Sequence, residues 1–183
     1  SATPMAVLET LIFDTGPLSH FALSGWLGVL KAVVGERIAV IPETVVEELQ
    51  VGAIRESRLQ DVLAAESLLR RSLLNPGELQ AFAGFAERLA VGRRNLGECG
   101  VLALGATLPG ASVVVDDAAA RRAARDAGIA VKPTLALHLD AIRGGLLTVP
   151  LVSALADDLL AGAYRLPFKP GGFAQWVEDN NLL

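Results

Sequence analysis

Four acidic positions in this chain have residue types and surroundings that suit a reactive site. Asp14 closes one short apolar run and Asp116-Asp117 close another. Glu48 follows Glu47 in a segment with helical spacing, and Glu98 is the sole charge in the apolar stretch 96–108. Carboxylates gathered at one point repel, so without a cation some must protonate or stay apart. Mg²⁺ or Mn²⁺ removes that penalty, because hard cations take oxygen ligands. Such a cation lowers the pKa of its water and braces a phosphodiester through in-line attack. The chemistry these residues point to is metal-assisted hydrolysis of a phosphate ester.

Each position also has a plainer explanation. Asp14, ahead of Thr15-Gly16-Pro17, suits a turn or helix cap. Glu48 suits a solvated helix face, and Glu98 suits the positive end of a helix dipole. One of Asp116 and Asp117 suits an N-cap. The four together favour a site more than any one alone. Asp117, Arg121 and Arg125 recur every fourth residue and share a helix face. Arg121 and Arg125 are therefore either a phosphate clamp or partners of Asp117 in intrahelical ion links. Thr15 is suited to bond a carboxylate or a phosphate. His20 and His138 lie among apolar residues and read as core or rim histidines rather than general bases. Cys99, Trp26, Phe82, Phe85 and Trp176 read as packing groups.

The elements that must position these groups alternate in type. Residues 7–13, 38–41, 112–115 and 129–131 are short apolar runs of the kind that form buried strands. Helical spacing occupies 18–34, the segment after Pro42, and two or more helices within 53–92. In that last region Leu59, Val62, Leu63, Leu68 and Leu69 supply an apolar helix face. Further helices are expected over 96–108, from Asp117 to a Gly128 cap, over 134–143 and over 150–161. The tail 164–183 is less regular. Strands alternating with helices imply an α/β fold, a three-layer α/β/α sandwich around a mainly parallel sheet. Ligands of open parallel sheets bind beyond the carboxyl ends of the strands, where Asp14 and Asp116-Asp117 fall.

The 183 residues suit one domain over 1–183, with a core at about 7–147 and a helical C-terminal extension over 148–183. Apolar residues make up 52% of the chain and mean hydropathy is +0.45, which excludes a disordered chain. No apolar run reaches the roughly 20 residues of a membrane span, and no secretory signal is expected. Cys99 is the only cysteine, which excludes an intramolecular disulfide and a cysteine-rich zinc site and suits the cytoplasm. A net charge of −4 and a pI near 5.2 exclude coating of nucleic acid by bulk attraction. A nuclease with a local basic rim around an acidic centre remains compatible with that charge.

Several stretches match a known family in order and spacing. They are Ile12-Phe13-Asp14-Thr15-Gly16-Pro17-Leu18, Val40-Ile41-Pro42-Glu43-Thr44-Val45-Val46-Glu47-Glu48-Leu49, Leu96-Gly97-Glu98-Cys99-Gly100-Val101-Leu102 and Val113-Val114-Val115-Asp116-Asp117. Ala120-Arg121-Arg122-Ala123-Ala124 and Lys132-Pro133-Thr134-Leu135-Ala136-Leu137 fit as well. Over about residues 8–147 the chain resembles the PIN domain, in particular PIN-like proteins related to VapC-type toxins. The resemblance implies an acidic Mg²⁺ or Mn²⁺ site and cleavage of single-stranded RNA. It also implies a homodimer and, where the protein is a toxin, an antitoxin partner. Asp14, Glu48, Glu98 and Asp117 take the four acidic positions, with Asp116 the alternative to Asp117. Glu48 is preferred to Glu47 because it directly precedes Leu49. Glu98 is preferred to Glu78 because it sits one helix before the 113–115 strand. Asp14, Glu98 and Asp117 are then metal ligands, and Glu48 tunes the site or positions the attacking water. Val115 stands where the family often has Thr or Ser. Two rivals compete with the ribonuclease: a partner-binding protein with a weak metal site, and a hydrolase of small phosphate esters.

Overall fold

The computed structural model describes residues 8–162 and 164–183. Its centre is a five-stranded sheet. β1 (Thr10–Phe13) is flanked by β2 (Ile38–Pro42) and β4 (Ala111–Val114), with β3 (Leu68–Arg71) beyond β2 and β5 (Ala130–Val131) beyond β4. Every strand pairing is parallel, and Phe13 lies level with Val114 across the β1–β4 ladder. The chain builds outward from β1 to β3, then returns to start β4 on the other side. β1 and β4 therefore flank the topological switch point, where their carboxyl ends splay into a crevice.

β1 and β4 are buried because helices cover both sides of the sheet. α6 (Leu96–Thr107) packs across β1, β2 and β4, and α3 (Glu43–Ala53) packs on α6. α2 (Leu30–Val34) pairs with α8 (Thr134–Arg143), and α9 (Val149–Ala161) with α10 (Phe173–Asp179). Gly105 lets α6 sit close on the sheet, since a Cβ there would come within 2.6 Å of the Val113 side chain and 2.8 Å of Ile129. The buried apolar side chains form one cluster running from Leu11 to Val177, so the tail contributes to the core through Phe173 and Val177.

The α/β class and the parallel sheet stand as expected, but several elements differ. The strand expected over 7–13 spans Thr10–Phe13, and Val7 lies outside the described residues. The helix expected over 18–34 is two, because the chain turns at Gly25 (φ +79°). α1 (Thr15–Leu23) precedes that turn, and a short 3-10 stretch and α2 follow it. The region 53–92 is not all helical. α4 (Leu59–Leu63) and α5 (Pro76–Leu89) flank β3, an edge strand that takes Leu68 and Leu69 out of the helix face they were expected to form. Leu and Arg favour helix locally, and pairing with β2 overrides that preference. α7 (Ala118–Asp126) ends ahead of Gly128 at φ +71°, as expected. The tail carries one regular element, α10.

Candidate active site

Asp14 directly follows β1, and its amide donates to the Val114 carbonyl of β4, which ties the residue to the sheet edge (3.1 Å). It occupies the N-cap position of α1, yet its side chain makes no capping bond. Only 5% of the residue is exposed, and its Oδ1 is buried without a hydrogen-bond partner. Burial pushes the Asp14 carboxyl up to about 8. Glu98, Glu48 and Asp116 add to the rise, and the Thr15 backbone N–H opposes it.

Glu98 sits in the first turn of α6, a helix whose next six residues are buried. Burial first, then Asp117 and Glu48, raise its carboxyl to about 7. Glu48 projects from α3 into the same crevice, while its neighbour Glu47 is exposed. Both Glu48 oxygens are held: Thr15 Oγ1 donates to Oε2 (2.6 Å) and the Gly97 amide to Oε1 (2.8 Å). That grip requires glycine at 97, because a Cβ there would lie 2.6 Å from the Glu48 carboxyl carbon. Of the two roles open to the Thr15 hydroxyl, the structure shows the bond to a carboxylate.

The two aspartates after β4 diverge. Asp117 caps α7, accepting from the Ala120 amide (2.9 Å). Asp116 accepts from the Thr134 amide (3.1 Å) and hydroxyl (2.5 Å), and the Tyr164 hydroxyl lies against it. Asp14, Glu48, Glu98, Asp116 and Asp117 all line one crevice of about 360 Å³, together with Thr15, His20, Asn95, Tyr164 and Arg165. Among the described residues no group of three Asp, Glu, His or Cys side chains is close enough to enclose a cation by itself. The donor set nonetheless fits a hard cation: all oxygen, mutually repelling, with one buried carboxylate oxygen left unpaired. Mg²⁺ in particular is usually held by one or two carboxylates and keeps several waters.

The arginine pair is split. Arg121 lines an apolar cleft next to the crevice, whereas Arg125, a turn further along α7, is exposed and lines neither. The alternative links to Asp117 are not formed either, since neither arginine has an ion pair among the described residues. Glu78 is a structural carboxylate: it completes a capping box with Asn75 and pairs with Arg71 at 2.7 Å. His138 is a core histidine whose Nδ1 lies 2.7 Å from the Thr134 carbonyl, and Cys99 is buried. His20 is a rim residue that meets Tyr164 edge-on at 4.3 Å, with burial holding its pKa low. Sequence reasoning missed Asn95, Tyr164 and Arg165. Tyr164 is the only tyrosine of the chain, a signal that was available, but it lies in an irregular segment.

A parallel α/β sheet carries an acidic crevice at its switch point, where ligands of such sheets bind. A family model described as a PIN domain, DUF3368, matches residues 10–169, and the chain belongs to this family. PIN domains are generally nucleases. No curated protein and no solved structure matches the chain.

Proposed function

We propose that this protein is a Mg²⁺- or Mn²⁺-dependent endoribonuclease cutting single-stranded RNA at the crevice beyond β1 and β4. The observation that carries this is Asp14: a buried carboxylate with an unpaired oxygen, facing Glu98 and Glu48, in a PIN domain. Asp14, Glu98 and Asp117 would hold the cation directly or through water, with Asp116 as the alternative to Asp117. The bound cation supplies a more acidic water and neutralises charge on the phosphodiester. Glu48, fixed by Thr15 and Gly97, orients the attacking water and accepts its proton. Thr134 holds Asp116 through two hydrogen bonds, which fixes that carboxylate at the crevice.

The test is incubation with mixed single-stranded RNAs in Mn²⁺, Mg²⁺ or EDTA beside Asp14→Asn. Metal-dependent cleavage lost in the variant supports the proposal. Hydrolysis of a chromogenic phosphomonoester with RNA left intact would replace it with a small-ester hydrolase. Metal binding absent together with cleavage would favour a partner-binding protein. Resemblance to VapC-type toxins extends the proposal to growth arrest on expression. That arrest should vanish with Asp14→Asn and be relieved by co-expressed antitoxin.

A further inference from the structure

A second, larger cleft of about 790 Å³ adjoins the acidic crevice. The two share Asp116, Asp117, Tyr164 and Arg165 as lining residues. The second cleft is mostly apolar. Leu135 and Leu139 of α8 form one wall, and Leu166 and Trp176 of the tail form the other. Trp176 is only partly buried, and its ring is fixed against Phe168 (5.4 Å) and the fully buried Phe173 (6.4 Å). Arg121 and Arg165 stand at the cleft, neither in an ion pair among the described residues.

We infer that this cleft is a subsite for one nucleotide of the RNA, next to the phosphate being cut. It rests on the nuclease proposal above. A nucleotide has a flat apolar face and an anionic backbone; this cleft offers apolar walls, an aromatic ring and the cations Arg121 and Arg165, with Asp116 and Asp117 on the side shared with the crevice. Base–aromatic contacts of this kind tolerate any base, because every base has a π face. An apolar segment of an antitoxin-type partner would use the same walls, and it is the occupant favoured if binding shows no dependence on any base. The tail 164–182 thereby becomes a substrate-holding element, supplying Tyr164, Arg165, Leu166 and Trp176 to the cleft.

The experiment measures binding in EDTA, where no cutting occurs, so it does not depend on activity. A labelled single-stranded RNA hexamer is compared by fluorescence anisotropy with hexamers carrying one abasic position each. Removal of one particular base should weaken binding to the wild type by about tenfold or more. Ala136→Trp, which fills the cleft from α8, should weaken the intact hexamer by a similar factor and abolish the difference between intact and abasic RNA. Arg121→Ala should reduce the salt dependence by roughly one phosphate contact. Equal affinity for every abasic hexamer would overturn the inference without any variant having to fold. Base-dependent binding without metal-dependent cleavage would keep the subsite and sink the nuclease; cleavage without base dependence would do the reverse.

Discussion

A carboxylate held as Asp14 is held should be felt in the stability of the protein. Its folded-state pKa, about 8, lies above the ordinary value of 3.8, so the folded chain binds the proton more tightly than the unfolded one. The stability this contributes is complete below pH 3.8 and is lost as pH rises toward 8. Glu98 adds a smaller loss of the same sign between 4.5 and about 7. Each pKa unit is worth about 1.4 kcal/mol, so metal-free protein should melt several degrees lower at pH 8.5 than at pH 5.5. Asp14→Asn should flatten that dependence and raise the melting temperature at pH 8.5 in EDTA; an unchanged profile would mean Asp14 is not the buried acid. Mn²⁺ should stabilise the wild type more at pH 8.5 than at pH 6, because it competes with the proton. Gly97→Ala probes a different residue by a different route. Its new Cβ would displace the Glu48 carboxylate and break both bonds that hold it. Cleavage should fall about 10- to 100-fold, as when a metal ligand loses its support, while calorimetry shows little change in melting. Retained activity would show that Glu48 need not be fixed.

At the scale of elements, the gathering of these carboxylates in one crevice was largely legible because their positions follow from rules that act locally. Asp14 and Asp116-Asp117 end apolar runs, and strand ends at a parallel sheet's crossover form the crevice. Glu98 stood out as a lone charge on a buried helix. Chain order could not show which aspartate caps α7 and which meets Thr134, because that depends on where α8 returns. β3 was misread since Leu68-Leu69-Arg70-Arg71 carries helix-favouring residues and no period-2 alternation. An edge strand needs only its inner contact, and Leu68 provides it at 5% exposure while Leu69 stays 54% exposed. What fixes β3 to the next element is the Arg71–Glu78 pair across the Asn75 capping box. Arg71→Met would leave the buried Glu78 carboxylate without its cation. The cost should be on the order of 2 kcal/mol by urea titration, below the 3–5 of a fully enclosed pair because water still reaches Arg71. RNA cleavage should be unaffected; a parallel loss of cleavage would mean that the edge strand supports the crevice.

On the scale of the whole molecule, the proposed ribonuclease, a chain of net charge −4, would have to attract a polyanion to an acidic crevice. Bulk electrostatics oppose that encounter, so attraction must be local. On the proposed reading it would come from the arginines at the adjoining cleft and from the bound cation. Two arginines imply about two neutralised phosphates, hence a slope near −1.4 for log affinity against log salt on single-stranded RNA. A protein that coats nucleic acid would show a much steeper one. The carboxylates then set the pH dependence. Below pH 7 in EDTA, Glu98 and Asp14 hold their protons and the crevice carries less negative charge. Above pH 8 both ionise and repel the phosphate. RNA affinity without metal should therefore weaken between pH 6 and pH 8.5, and in Mn²⁺ it should hold or strengthen over the same interval, because the ionised carboxylates now bind the cation. Isothermal titration of one uncleavable single-stranded oligonucleotide at the two pH values, with and without Mn²⁺, measures all four affinities. Weakening of equal size with and without the metal would mean that the cation does not sit among these carboxylates, and a steep salt slope would mean that RNA lies across a wider basic face than Arg121 and Arg165 provide.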